Sequence, residues 1–166
     1  LEYAEAATYV DLSSDRLLLR ARDRLLDGDI HDAVRTEMVV GEYRWLRGEQ
    51  REAEEAFQKA ERLAEQMTDQ QAKLHVLAML TRFAMLADAN ERAVSLGENV
   101  LRLAEELGRD DIRASVLNSV GVARASLGDA AGLRELEESL AITHGVGAEH
   151  VRATGKLLFP RAQIDA

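Results

Sequence analysis

Six glutamates crowd one stretch of the chain, Glu49, Glu52, Glu54, Glu55, Glu61 and Glu65. Paired carboxylates can work as acid and base or hold a divalent cation. Arg51, Lys59 and Arg62 lie among them at spacings that allow ion pairs one helical turn apart, so the run reads as a solvated helix face. A catalytic dyad needs desolvation that such a face does not offer. The histidines His31, His75, His144 and His150 stand at no metal-ligand spacing, and no metal site is expected. Gly155 and Lys156 carry two letters of a phosphate loop, but His150 occupies the place of its first glycine and Leu157 that of its Ser or Thr. There is no cysteine, hence no disulfide, thiolate nucleophile or thiolate metal ligand. No nucleophile, base and orienting group converge, so the expectation is a protein that is not an enzyme and has no cofactor.

Charge narrows the partners. A net charge of −9 opposes attraction to nucleic-acid phosphates or an anionic bilayer, both of which require a basic patch. No apolar run approaches the roughly 18 residues of a membrane span, and the N-terminus lacks a basic-then-apolar signal. A cytoplasmic protein is expected. No methionine precedes Met38, which points to a piece of something larger.

The elements that would position any surface site are helices. Ala, Leu, Glu and Arg dominate, β-branched and aromatic residues are sparse, and the single proline, Pro160, lies near the C-terminus. Gly48, Asp88 and Gly128 each close an amphipathic stretch, 40 residues apart. Gly41, Thr81 and Gly121 precede them by seven, after the apolar Val40, Leu80 and Val120. The set Ala53, Ala56 and Ala60 recurs as Ala93, Leu96 and Val100, then as Leu133, Leu136 and Leu140, and each set is expected on a buried helix face. The spacing predicts paired helices over 34–47 and 51–66, 71–87 and 91–107, and 111–127 and 130–143. Gly108 marks a further junction, as does the run Asp27, Gly28 and Asp29, which places 14–26 as the second helix of an earlier, weaker unit and 1–10 as part of its first.

In the first unit, Gly41 on one helix and Ala53, Phe57 and Ala60 on the next resemble the small, large, small pattern of tetratricopeptide repeats. The second unit has Gly97 at the bulky position. The third reads with Leu133 and Leu140 at the small positions and Glu137 at the bulky one. The resemblance covers about 34–143. It implies an all-α, antiparallel helix-pair solenoid with a right-handed superhelix and about 8–9 helices. The expected layout is one repeat domain over 1–159, with a partial unit at 1–30, units at 31–67, 70–108 and 111–145, a capping helix at 148–159 and a tail at 160–166. The period and the stretch 114–121, followed by Ser126, Leu127, Gly128 and Asp129, are similar to repeat regions of large bacterial regulators. Those are ATP-binding transcription activators of the maltose-regulator type and cyclase-associated ATPases. The likeness implies a region that senses inducers or binds partner proteins and relays the signal to other domains.

On the tetratricopeptide register the first helix of each pair lines a groove, which would carry Arg35, Met38, Glu42 and Trp45, then His75, Arg82 and Met85, then Asn118. Trp45, the only tryptophan, is the candidate anchor, with sealing of helix packing as its other reading. Arg35, Arg82 and Asn118 are candidates to hold a carboxylate or phosphate. Members of the family that bind acidic tails use Lys and Asn at positions here held by Met38, Val39 and Glu42. An amphipathic helix is therefore the expected groove occupant, from a protein, a peptide or another domain of the parent chain. An inducer-sensing groove around Trp45, Arg82 and Met85 is one alternative, and an oligomerisation spacer another. An uncapped N-terminal end would expose apolar surface able to pair two copies. Leu157 falls in register with Leu117, and Pro160 then stops or distorts the array.

Overall fold

A computed structural model describes residues 29–146. Among these the chain forms six α-helices and no strand: α1 Ile30–Leu46, α2 Gln50–Ala64, α3 Gln70–Leu86, α4 Asn90–Glu106, α5 Asp110–Ser126 and α6 Ala131–Val146. The described residues are all-helical, as expected. The additional helices expected at 1–10, 14–26 and 148–159 lie outside the described residues. Five helices begin within one residue of the expected bounds, whereas α1 starts four residues earlier, directly after Asp29 in an extended conformation (ψ 149°).

The turns explain the spacing. Among the described residues, positive φ occurs at Gly48 (74°), Asp88 (56°), Gly108 (64°) and Gly128 (80°). Each sits two residues past the last residue of a helix, where a left-handed residue lets the chain fold its own amides back onto the last carbonyls. Gly48 N–H donates to Trp45 O at 2.9 Å and Glu49 N–H to Arg44 O at 2.9 Å. The same two bonds recur from Asp88 and Ala89 to Met85 and Ala84, from Gly108 and Arg109 to Glu105 and Ala104, and from Gly128 and Asp129 to Ala125 and Arg124. The junction between α2 and α3 has no such residue. There Asp69 caps α3, its Oδ1 accepting from the Gln71 and Ala72 amides at 2.9 and 3.1 Å.

The chain divides into two compact units, Leu1–Val76 and Leu77–Ala166, the division falling within α3. In the first, α1 packs on α2 through a core of Val39, Val40, Tyr43 and Ala56. Gly41 faces the Phe57 ring so closely that a Cβ there would overlap it, and Ala53, Ala60 and Ala64 are buried beside the contact. Glu37 is wholly buried, and Lys59 of α2 donates to its Oε1 at 2.7 Å. In the second unit, Ala84, Met85, Ala93 and Ala123 form a cluster joined by Leu86, Ala89, Val94 and Val122. Here the small residue changes sides: Thr81 stands where Gly41 stood, and Gly97 takes the place of Phe57, against Val120 and Thr81.

Helix α6 departs from the expected register. In α2 the Glu49 carbonyl accepts from Ala53, four residues on, and in α4 the Ala89 carbonyl accepts from Ala93. In α6 the Asp129 carbonyl accepts from Gly132, only three residues on, at 3.0 Å. This tighter first turn, with the Ala131 amide donating to Asp129 Oδ1 at 2.9 Å, advances the helix phase by one residue. The face against α5 is therefore Gly132, Leu136, Ser139 and Thr143. Leu133 and Leu140, expected inside, are 52% and 37% exposed. In this register the small, large, small pattern returns as Gly132, Leu136 and Ser139, so Leu136, not Glu137, is the bulky residue. A Cβ on Gly121 would stand 2.8 Å from Leu136 Cγ and 2.8 Å from the Gly132 carbonyl oxygen. Ser139 Oγ donates to the Ala114 carbonyl at 2.7 Å, satisfying the polar group carried into that interface.

Candidate functional site

The expected groove residues fall on the first helix of each pair: Arg35, Met38, Glu42 and Trp45 on α1, His75, Arg82 and Met85 on α3, and Asn118 on α5. Along α1 the four stand at helical spacing on one face. Arg35, His75 and Arg82 are exposed, while Glu42 and Trp45 are half-buried. Met38 and Met85 are buried, Met85 within the alanine cluster of the second unit, so their side chains serve packing. Both methionines neighbour apolar residues that continue the core stripe.

Asn118 differs from the rest. It is 6% exposed, and its Nδ2 has no hydrogen-bond partner among the described residues. A buried donor without an acceptor costs about 1–3 kcal/mol, which water or a ligand oxygen would relieve.

The acidic run is largely tied up. Arg51 binds Glu52 and Glu55 on the outer face of α2, and Gln58 donates to Glu54. Lys59 instead crosses to Glu37 on α1. Arg44 and Arg47 clamp Glu49 at the turn, with Arg44 first and Arg47 second in holding its carboxyl below the usual range. Both guanidiniums also lie over the Tyr43 ring, 5.8 and 5.6 Å from its centroid. Among the described residues, no group of three or more His, Asp or Glu side chains is arranged to hold a metal ion.

Sequence reasoning missed the charge centre of the second unit. Arg124 reaches Glu98 on α4 at 2.5 Å, Asp129 at the turn at 3.1 Å and Glu135 on α6 at 3.1 Å. The last, from Nε to Oε1, is an ion contact without hydrogen-bond alignment, because Arg124 Nε lacks a hydrogen-bond partner among the described residues, as does the other carboxylate oxygen, Glu135 Oε2. Burial pushes the Glu135 carboxyl up. The Ala131 amide, and then Arg124, hold Asp129 down. A signal existed: Arg44 and Glu49 span the first turn just as Arg124 and Asp129 span the third. At the α4 to α5 junction Arg109 grips Asp111 through two hydrogen bonds, of 2.8 and 2.7 Å, and lowers its pKa.

No helix among the described residues is long and apolar enough to cross a membrane. Compared with protein-family models and with curated proteins, the chain matches none.

Proposed function

We propose that the chain is a non-catalytic scaffold for protein recognition or regulation, a tetratricopeptide-like solenoid within a larger bacterial signalling or transcription-regulatory protein in the cytoplasm. The observation that carries this reading is the recurrence of one turn geometry at Gly48, Asp88 and Gly128, each joining two packed helices. Stacked helix pairs spend their sequence on neighbour contacts and present the side chains of successive helices to a partner. Arg35 and Arg82 are the exposed cationic members of that set. Each of them, taken within its own unit, offers a guanidinium to an acidic side chain of an amphipathic helix from a partner protein or another domain of the parent chain. Titration calorimetry against the neighbouring domains of the parent protein tests the reading. Arg35→Ala and Arg82→Ala should each weaken binding several-fold with an unchanged helical signal. Substrate turnover by the chain would overturn it.

Asn118 favours a second reading, a small-molecule sensor, since its unpartnered Nδ2 suits a ligand oxygen. In that case a metabolite carrying a carboxylate or carbonyl should raise the melting temperature of the native chain but not of Asn118→Leu.

A further inference from the structure

The phase of α6 turns Leu133 and Leu140 outward, with the exposed Glu137 between them. The equivalent second-helix positions elsewhere, Ala53 and Ala60 or Ala93 and Val100, are buried. Another apolar side chain breaks the pattern on α3. Met79 is 45% exposed, whereas Val39 and Ser119, 40 residues before and after it, are buried. The exposed Arg82 and the half-buried Leu86 follow Met79 on the same face of α3. Among the six described helices α3 alone carries no carboxylate, in a chain of net charge −9. Both faces belong to the unit Leu77–Ala166.

We infer that α6 of one copy of the chain docks antiparallel on α3 of another, Leu140 on Met79, Glu137 on Arg82 and Leu133 on Leu86. The two stripes have reversed spacing. Met79, Arg82 and Leu86 stand at i, i+3 and i+7, and Leu133, Glu137 and Leu140 at i, i+4 and i+7, so an antiparallel alignment brings all three pairs into register. A parallel alignment that keeps both apolar pairs sets Arg82 one residue off Glu137. Burial of Met79, Leu133 and Leu140 drives the contact, and the opposed charges of Arg82 and Glu137 fix its register and direction. Three residues a side make a small contact, so the association is weak and grows with concentration. The pairing does not rest on the recognition reading, but where both operate they compete for Arg82.

Sedimentation equilibrium of the full chain tests the pairing. The apparent mass should rise with concentration. Arg82→Glu and Glu137→Arg should each weaken the association several-fold, whereas mixing the two variants, or combining both changes in one chain, should restore it. Because the chain has no cysteine, Met79→Cys and Leu140→Cys copies can be mixed and oxidised, and they should link to each other faster than Met79→Cys links to Leu133→Cys. This comparison decides if a charge variant loses its helical signal. A monomer at every soluble concentration would overturn the inference. So would an association that both charge variants keep, a charge swap that restores nothing, or equal linkage by the two cysteine pairs.

Discussion

Asp88 is the only non-glycine among the described residues held at positive φ, and it occupies the turn where the other units place Gly48 and Gly128. A side chain in the left-handed region costs about 1 kcal/mol, less for Asp than for most residues. Asp88→Gly should therefore raise stability by about 0.5–1 kcal/mol. Asp88→Val, β-branched and unable to relax there, should lower it by about 1–2 kcal/mol. Urea unfolding of both variants checks the pair, and equal midpoints would remove the left-handed residue from the account. Glu37 sets the opposite problem, a carboxylate with no exposed surface, partnered by Lys59, which is about a third exposed. Lys59→Met should cost about 2 kcal/mol, the lower end for a broken charged pair because Lys59 is partly solvated. The turn residues were legible in the sequence because glycine answers a specific backbone need. The Glu37 contact was not, since a lone glutamate in a helix gives no sign of which face it occupies.

At the level of helix pairs, two close contacts with the same chemistry should respond differently. Gly41→Ala would strike the Phe57 ring, which a smaller side chain can vacate, so Phe57→Leu should recover part of the loss. Gly121→Ala would strike the Gly132 carbonyl as well as Leu136, and backbone cannot be trimmed. Overpacking of this kind costs about 1–3 kcal/mol. Gly121→Ala should sit at the upper end, and Leu136→Ala should not restore it. Thermal melts of the two double variants give the comparison. The same contact explains the unexpected phase of α6. Apolar periodicity admits two solutions one residue apart, with either Leu133 or Gly132 inward, and a leucine-rich pattern favours the first. The approach of the Gly121 and Gly132 backbones selects the second, a fact of three dimensions that the one-dimensional pattern of leucines concealed.

Across the molecule, the candidate site was legible in part. Arg35, His75 and Arg82 are exposed, and polar side chains at helical spacing are the kind that sequence can assign to a surface. Met38 and Met85 are buried, because an apolar residue at the edge of a stripe belongs equally to core or groove until its neighbours are in place. The titrating groups predict an acid response with two arms. Glu135 has a raised pKa, so its ionisation is a burden at neutral pH that disappears as pH falls through that raised value. Glu49, Asp111 and Asp129 have lowered values, so their contributions are present above the ordinary carboxylate range, near about 4, and are lost as pH falls through their lowered values. The melting temperature should hold or rise slightly on mild acidification and then drop. Glu135→Gln should remove the rise and leave the drop, and a rise that persists in this variant would sink the assignment. The turns at Gly48, Asp88, Gly108 and Gly128 carry one more implication, because the same pair of main-chain hydrogen bonds closes each of them, whichever side chains stand beside it. They constrain almost nothing around them. A descendant of this chain could exchange nearly every solvent-facing side chain, and so acquire a different binding preference, while keeping its turns and the small residues at its helix crossings. The architecture is conservative in a few backbone positions and free to diversify everywhere else.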